Sequence, residues 1–307
     1  MNWLIFVIIA TLLDSTRIFV DNYASDVYFK GRGAVSQKLF YGYAFIVAAL
    51  ILAIIAGFDF NPAYAGNFAL FFVSGLLGSL AGIPYYRALE LDDSTNIGIF
   101  TQLAPVLYLI LGWIFLGENF APLQLLAFAV IIAAPLLIVF TTRKRSRKIK
   151  IKAVFFAFLY VFIAVVGNLL FVKENVPDIN FLIEIAFVFL GKGIGNFIII
   201  YARPKWRRRF YTVVKESHNK VFRPLVANSI IGAIKDIAYR LALTLAPAVA
   251  IASATSDSAE PIVIFFMGVI LTLIWPKFGR EKLDKKSVIV HLIATVLVVI
   301  GIIVLQF

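Results

Sequence analysis

Residues Lys235–Phe266 read KDIAYRLALTLAPAVAIASATSDSAEPIVIFF, and this stretch decides the class of protein. It sets Lys235, Asp236, Tyr239, Arg240, Asp257 and Glu260 among neighbours apolar enough to dissolve in a bilayer. A charge at membrane depth is costly unless paired or hydrated, so it persists mainly where pairing or function maintains it. The stretch therefore reads as the wall of a polar cavity inside a helical membrane protein.

Composition agrees. The chain has 307 residues, 62% of them hydrophobic, and a mean hydropathy of +0.94. Soluble domains are about 45–50% apolar. The apolar runs are continuous rather than alternating, which favours helices over a barrel. Cysteine is absent, so disulfides, thiolate catalysis and Cys-ligated metals are excluded. His218 and His291 show no metal-ligand spacing, and no cofactor or metal is expected. Asn2 to Val20 lacks a basic start and a small-residue cleavage site, and reads as a retained first span rather than a signal peptide.

A span needs about 20 mostly apolar residues. Ten runs qualify: Trp3–Val20, Val35–Gly57, Asn67–Tyr86, Thr95–Leu116, Pro122–Phe140, Ala153–Val172, Phe181–Tyr201, Pro224–Thr244, Ala248–Trp275 and Val288–Leu305. Between them the charge is uneven. Up to Phe140 the basic residues are Arg17, Lys30, Arg32, Lys38 and Arg87. Most of the others crowd the connectors Thr141–Lys152, Arg203–Arg223 and Lys277–Lys286. A net charge of +12 could suggest nucleic acid, but basic connectors follow the positive-inside rule without any such partner. The lipid bilayer is the expected surrounding, and the cytoplasmic (inner) membrane the expected location. Odd-numbered connectors should face the cytoplasm and both termini the exterior. The Arg203–Arg223 connector is expected to be a plain basic loop, with an interfacial amphipathic helix as the alternative.

Motifs recur in the two halves. Tyr86-Arg87-Ala88-Leu89 precedes Ala104-Pro105-Val106 and Leu116-Gly117-Glu118. Tyr239-Arg240 precedes Ala259-Glu260-Pro261-Ile262 and Gly279-Arg280-Glu281. Five spans per half is an odd number, so the repeats must be inverted across the membrane, an arrangement common in secondary transporters with a midplane site. The pattern resembles the EamA-type module of the drug/metabolite transporter superfamily. The resemblance implies an all-α integral membrane protein of ten transmembrane helices. Its modules would be 1–142 and 153–307, joined by the basic cytoplasmic linker 143–152. It implies a carrier of small metabolites.

Candidate site residues follow from the intramembrane charges. Ser253, Asp257 and Glu260 share a helix face. Pro261 withholds a donor from the Asp257 carbonyl, and Pro105 does the same for Thr101 beside Gln102, so a break or kink is expected in both halves. Lys235 either pairs with Asp236, Asp257 or Glu260 as structural glue, or exchanges that partner for substrate. Asp14 and Arg17 are a site or a buried pair. Lys192, within Gly191-Lys192-Gly193-Ile194-Gly195-Asn196, lies in a cavity or, from a packing ridge, reaches the interface. Asp21 and Glu184 are expected at solvated helix ends, and Arg87 and Arg240 are expected to snorkel to the headgroups. The expected substrate-binding set is Asp14, Arg17, Gln102, Lys192, Lys235, Asp236 and Asp257, with Glu260 as the proton-coupling carboxylate.

Mixed charge suits a zwitterion or polar metabolite, such as an amino acid, moved by alternating access. An enzyme is not expected, because no Asp-rich or His-rich motif supplies a metal or an activated nucleophile. A passive channel is the other alternative, and no carbonyl filter loop supports it.

Overall fold

The computed structural model describes residues 2–29, 34–91, 103–142, 150–173, 178–274 and 285–305. Among them there is helix and no strand. The helices are α1 (Asn2–Val27), α2 (Lys38–Ile55), α3 (Ala65–Leu80), α4 (Gly82–Leu91), α5 (Ala104–Leu116) and α6 (Pro122–Thr142). They continue as α7 (Ile151–Lys173), α8 (Phe181–Tyr201), α9 (Pro204–Glu216), α10 (Phe222–Leu245), α11 (Val249–Ile274) and α12 (Lys285–Val304). Six stretches are long and apolar enough to cross a membrane: Asn2–Ser25, Val35–Ile55, Pro62–Ala88, Ile151–Lys173, Phe181–Tyr201 and Val249–Ile274. α10 is 24 residues long but carries Arg223, Lys235, Asp236 and Arg240, which lower its hydropathy below the same threshold.

Several local expectations are corrected. The Arg203–Arg223 connector is not a plain loop, because its Pro204–Glu216 portion is helix. Pro105 follows residues 92–102, which lie outside the described residues, as does the break expected there. It occupies the first turn of α5, where a missing N–H costs nothing. Pro261 does sit in a helix interior, yet α11 runs through it from Val249 to Ile274. The remaining ladder bonds carry the helix past the lost one, as membrane helices commonly allow.

The chain packs as two compact units, residues 1–16, 87–162 and 238–307 forming the first, and residues 17–86 and 163–237 the second. In the second unit α8 packs closely on α2 and α3. Close approach there depends on missing side chains. A Cβ at Gly75 would run into the Val188 carbonyl, and one at Gly191 into the Phe72 carbonyl. Around this contact Phe71, Phe171, Phe189, Ile183 and Ile185 are fully buried, and Phe68 stacks on Phe187 at 4.8 Å between centroids. The ridge expected at Gly191–Gly195 is real.

In the first unit α6, α11 and α12 enclose Ala134, Ile262, Ala294 and Val298. Phe265 stacks on the buried His291 at 3.7 Å. Glu118, beyond the αL residue Gly117 that ends α5, places its carboxylate on the start of α11. It accepts from the backbone N–H of Val249 at 2.5 Å and of Ala250 at 3.4 Å. A carboxylate at a helix N-terminus satisfies two otherwise orphaned donors and meets the positive end of the helix dipole. Burial pushes the Glu118 carboxyl above the usual carboxylate range, against the pull of those two N–H groups.

Candidate functional site

The second unit gathers four of the expected site residues. Asp236 on α10 is 6% exposed and accepts a hydrogen bond from Lys192 Nζ on α8. Lys235 Nζ lies 3.9 Å from the other carboxylate oxygen. Arg17 on α1 adds its charge to the electrostatic surroundings of Asp236. Lys192 is thus the close partner of Asp236, and the sequence neighbour Lys235 the looser one. The Lys192 backbone is fixed as well, its carbonyl accepting from Ser79 Oγ at 2.8 Å, and its ammonium stands 5.4 Å from the centre of the Phe45 ring.

Beside this cluster, and within the same unit, lies a cleft of about 390 Å³ of empty space, counting its open mouth. Its polar lining is Arg17, Lys38, Tyr41, Asn228 and Ser229, and Phe45 with Ala44, Ala48 and Ala233 makes it half apolar. The stem of Arg17 passes over Gly232, where a Cβ would stand 3.4 Å from Arg17 Cδ. Its floor is a compact hydrogen-bonded group. Tyr41 Oη and Asn228 Nδ2 donate to Asp21 Oδ1 at 2.5 and 2.6 Å, Asn228 Nδ2 also reaches Tyr41 Oη at 2.6 Å, and Gln37 Oε1 is 3.0 Å from Tyr41 Oη. Asp21 is therefore an internal acceptor rather than the solvated end residue that was expected. Chemically the lining offers two cations and hydrogen-bond donors above an apolar wall, which suits a solute carrying a carboxylate or another anion.

The other expected residues fall elsewhere. Asp14, Asp257 and Glu260 belong to the first unit and are half-buried. There Tyr239 Oη donates to Ser253 Oγ at 3.2 Å, and Asp257 and Tyr108 add to the electrostatic surroundings of Tyr239. Thr11 Oγ1 and Ser256 Oγ lie 3.1 Å apart. Gln102 lies outside the described residues. Arg240 and Glu184, expected near the membrane surface, are buried within the protein at 3% and 1% exposure. Arg87 is exposed, in keeping with expectation. Sequence reasoning missed Lys38 and Tyr41 as site residues. The available signal was a lysine three residues inside an apolar run, with Tyr41 one turn further along the same helix face.

No described group of three or more His, Asp or Glu side chains is placed to hold a metal ion. The model of the EamA-like transporter family matches residues 3–140. The match covers under half of the chain, and that stretch resembles an EamA-like module. The six described stretches long and apolar enough to cross a membrane support a multi-pass membrane protein. No curated protein matches the chain. Among solved structures, one described as "Crystal structure of protein" aligns with a TM-score of 0.69 at 17% identity, over 99% of this chain and 96% of that one. This likeness is one of fold, and it extends well past the EamA-like module to nearly the whole chain.

Proposed function

We propose that the protein is a secondary transporter working by alternating access, and that its substrate is a small metabolite carrying a carboxylate, with a zwitterionic amino acid as the type. The observation that carries this reading is the cleft in which Arg17 and Lys38 meet Tyr41 and Asn228 over an apolar wall. Arg17 and Lys38 would hold the anionic end, and Phe45 with its alanine neighbours would cover the rest. Lys192, Lys235 and Asp236 form the adjoining charge network, in which Lys235 is proposed to exchange its 3.9 Å contact with Asp236 for substrate.

Ten spans in two inverted modules, 1–142 and 153–307, are part of this reading, as are cytoplasmic basic connectors and external termini in the cytoplasmic membrane. In the first unit, Glu260 is proposed to take up and release the coupling proton while Asp257 stays ionised. Asp14 and Gln102 complete the proposed polar path.

The test is counterflow into liposomes holding the purified protein, with labelled amino acids and simple carboxylates as solutes. Saturable exchange whose half-saturation Arg17→Gln and Lys38→Gln raise supports the carrier. Ohmic conductance without saturation would make it a channel, and saturable uptake indifferent to both substitutions would move the site away from this cleft.

A further inference from the structure

The basic connector has more order than orientation in the membrane requires. α9 reads PKWRRRFYTVVKE and is strongly two-sided. Phe210 and Val213, at 6% and 5% exposure, pack into the buried cluster that includes Phe29, Leu39 and Tyr41. Three arginines hold the helix in place. Arg209 Nη2 donates to the Phe29 carbonyl at 2.8 Å, Arg203 lies over Trp206 at 4.8 Å and Arg207 over Tyr201 at 5.1 Å. The remaining cations, Lys205, Arg208 and Lys215, fall on the opposite face and are exposed. Tyr211 is 55% exposed on the rim of that face, and Lys220 and Arg223 continue the exposed basic surface to the start of α10.

We propose that this face of α9 binds anionic phospholipid headgroups, and that the bound lipid sets the shape of the Arg17–Lys38 cleft. Headgroup phosphates are the occupant by charge complementarity. Each lysine or arginine near an anionic membrane surface attracts it by about 1 kcal/mol, a gain that falls off within a Debye length. Contact is electrostatic and not insertion, because the apolar side of α9 is already spent on the protein's own core. Tyr211 adds an aromatic ring of the kind that favours the headgroup level.

The link to the cleft has two routes within the second unit. Phe210 shares its cluster with Tyr41, which lines the cleft and bonds to Asp21. Arg223 opens α10, which carries Asn228, Ser229 and Gly232 of the same cleft. A headgroup that shifts α9 therefore acts on both walls. Only the consequence for transport rests on the carrier reading; the binding of lipid does not.

The chain has no native cysteine, so a single probe is clean. Bimane on Thr212→Cys, exposed on the basic face, reports lipid contact when full-length protein is titrated with brominated lipid in mixed micelles. The expected result is quenching by brominated phosphatidylglycerol at a mole fraction at least about tenfold lower than by brominated phosphatidylcholine. That preference should disappear in Lys205→Gln/Arg208→Gln/Lys215→Gln and persist in Lys150→Gln/Lys152→Gln, which removes exposed charge from the first unit. Equal quenching by the two lipids, or a preference that survives the triple change, overturns the proposal. A second probe on Ser229→Cys, in the cleft, should shift its emission when phosphatidylglycerol is added. Headgroup binding without that shift overturns the link to the cleft. A shift without any solute counterflow counts against the carrier reading and leaves the lipid site standing.

Discussion

Lys192 on α8 and Asp236 on α10 form a buried ion pair across 44 residues of sequence, and Lys235, adjacent to Asp236 in the chain, is the more distant partner at 3.9 Å. Removing one member of a buried pair strands the other, at a cost of about 3–5 kcal/mol, whereas removing both costs less. Lys192→Met and Asp236→Asn should each lower stability by that order, and the double variant should lose less than the sum. Lys235→Met should cost less than Lys192→Met, because its contact with Asp236 is the longer of the two. Denaturation of the purified protein in detergent measures all four, and strictly additive losses would show the pair to be energetically independent.

Arg17→Gln and Lys38→Gln test the cleft separately from the fold. Each removes a charge-assisted hydrogen bond to an anionic solute, so half-saturation should rise by about 10–100-fold with little change in thermal stability. The check is solute-concentration dependence of counterflow alongside a melting curve for each variant. A fall in stability matching the fall in transport would assign both residues to the scaffold.

The close contact of α3 and α8 predicts a steep difference between glycines. Gly75→Ala should destabilise by about 1–3 kcal/mol or more, since its Cβ would strike the Val188 backbone, which cannot turn aside. Gly66→Ala, in the same helix but with nothing within 4 Å of its Cβ, should be neutral or gain up to about 1 kcal/mol from helix propensity. Yield and melting temperature of the two purified variants decide it.

Glu118 gives a pH dependence. Its carboxyl sits above the usual carboxylate range in the folded protein because burial disfavours the charge. A carboxyl raised on folding binds its proton more tightly in the native state, so this group opposes folding at neutral pH. It does so less as pH falls through the raised value toward the unfolded 4.5. Wild type should therefore gain stability relative to Glu118→Gln on mild acidification above pH 4.5. Paired melting curves across that window would refute the assignment if the difference were flat or reversed.

Orientation is checked with single cysteines. Ala63→Cys, exposed between α2 and α3, should react with an impermeant maleimide on intact cells, and Thr212→Cys on α9 only after permeabilisation. The reverse pattern inverts the topology.

Much of the architecture was legible because continuous apolar runs have one economical solution in a bilayer, a helix with its backbone satisfied internally. α1 is helical straight through Asp14 and Arg17, and the glycines around Lys192 predicted close backbone approach correctly. What escaped the sequence has physical causes. α9 is short and amphipathic, so a 20-residue hydropathy criterion is blind to it. The group formed by Asp21, Tyr41 and Asn228 joins α1, α2 and α10, with up to 207 residues between partners, and no local spacing announces it. Arg240 and Glu184 looked like surface charges, and only the fold shows that they are enclosed.

The contact at Gly75 and Gly191 also bears on how the molecule can move. Where two helices touch through their backbones, no flexible side chains lie between them to act as a lubricant, and sliding one past the other would drive carbonyl into carbonyl. α3 and α8 must therefore travel together as a single plate, and whatever rearrangement exposes the cleft has to bend or pivot outside them. In a deep mutational library these glycines would be sparsely populated positions even under selection for expression alone, with no demand for transport.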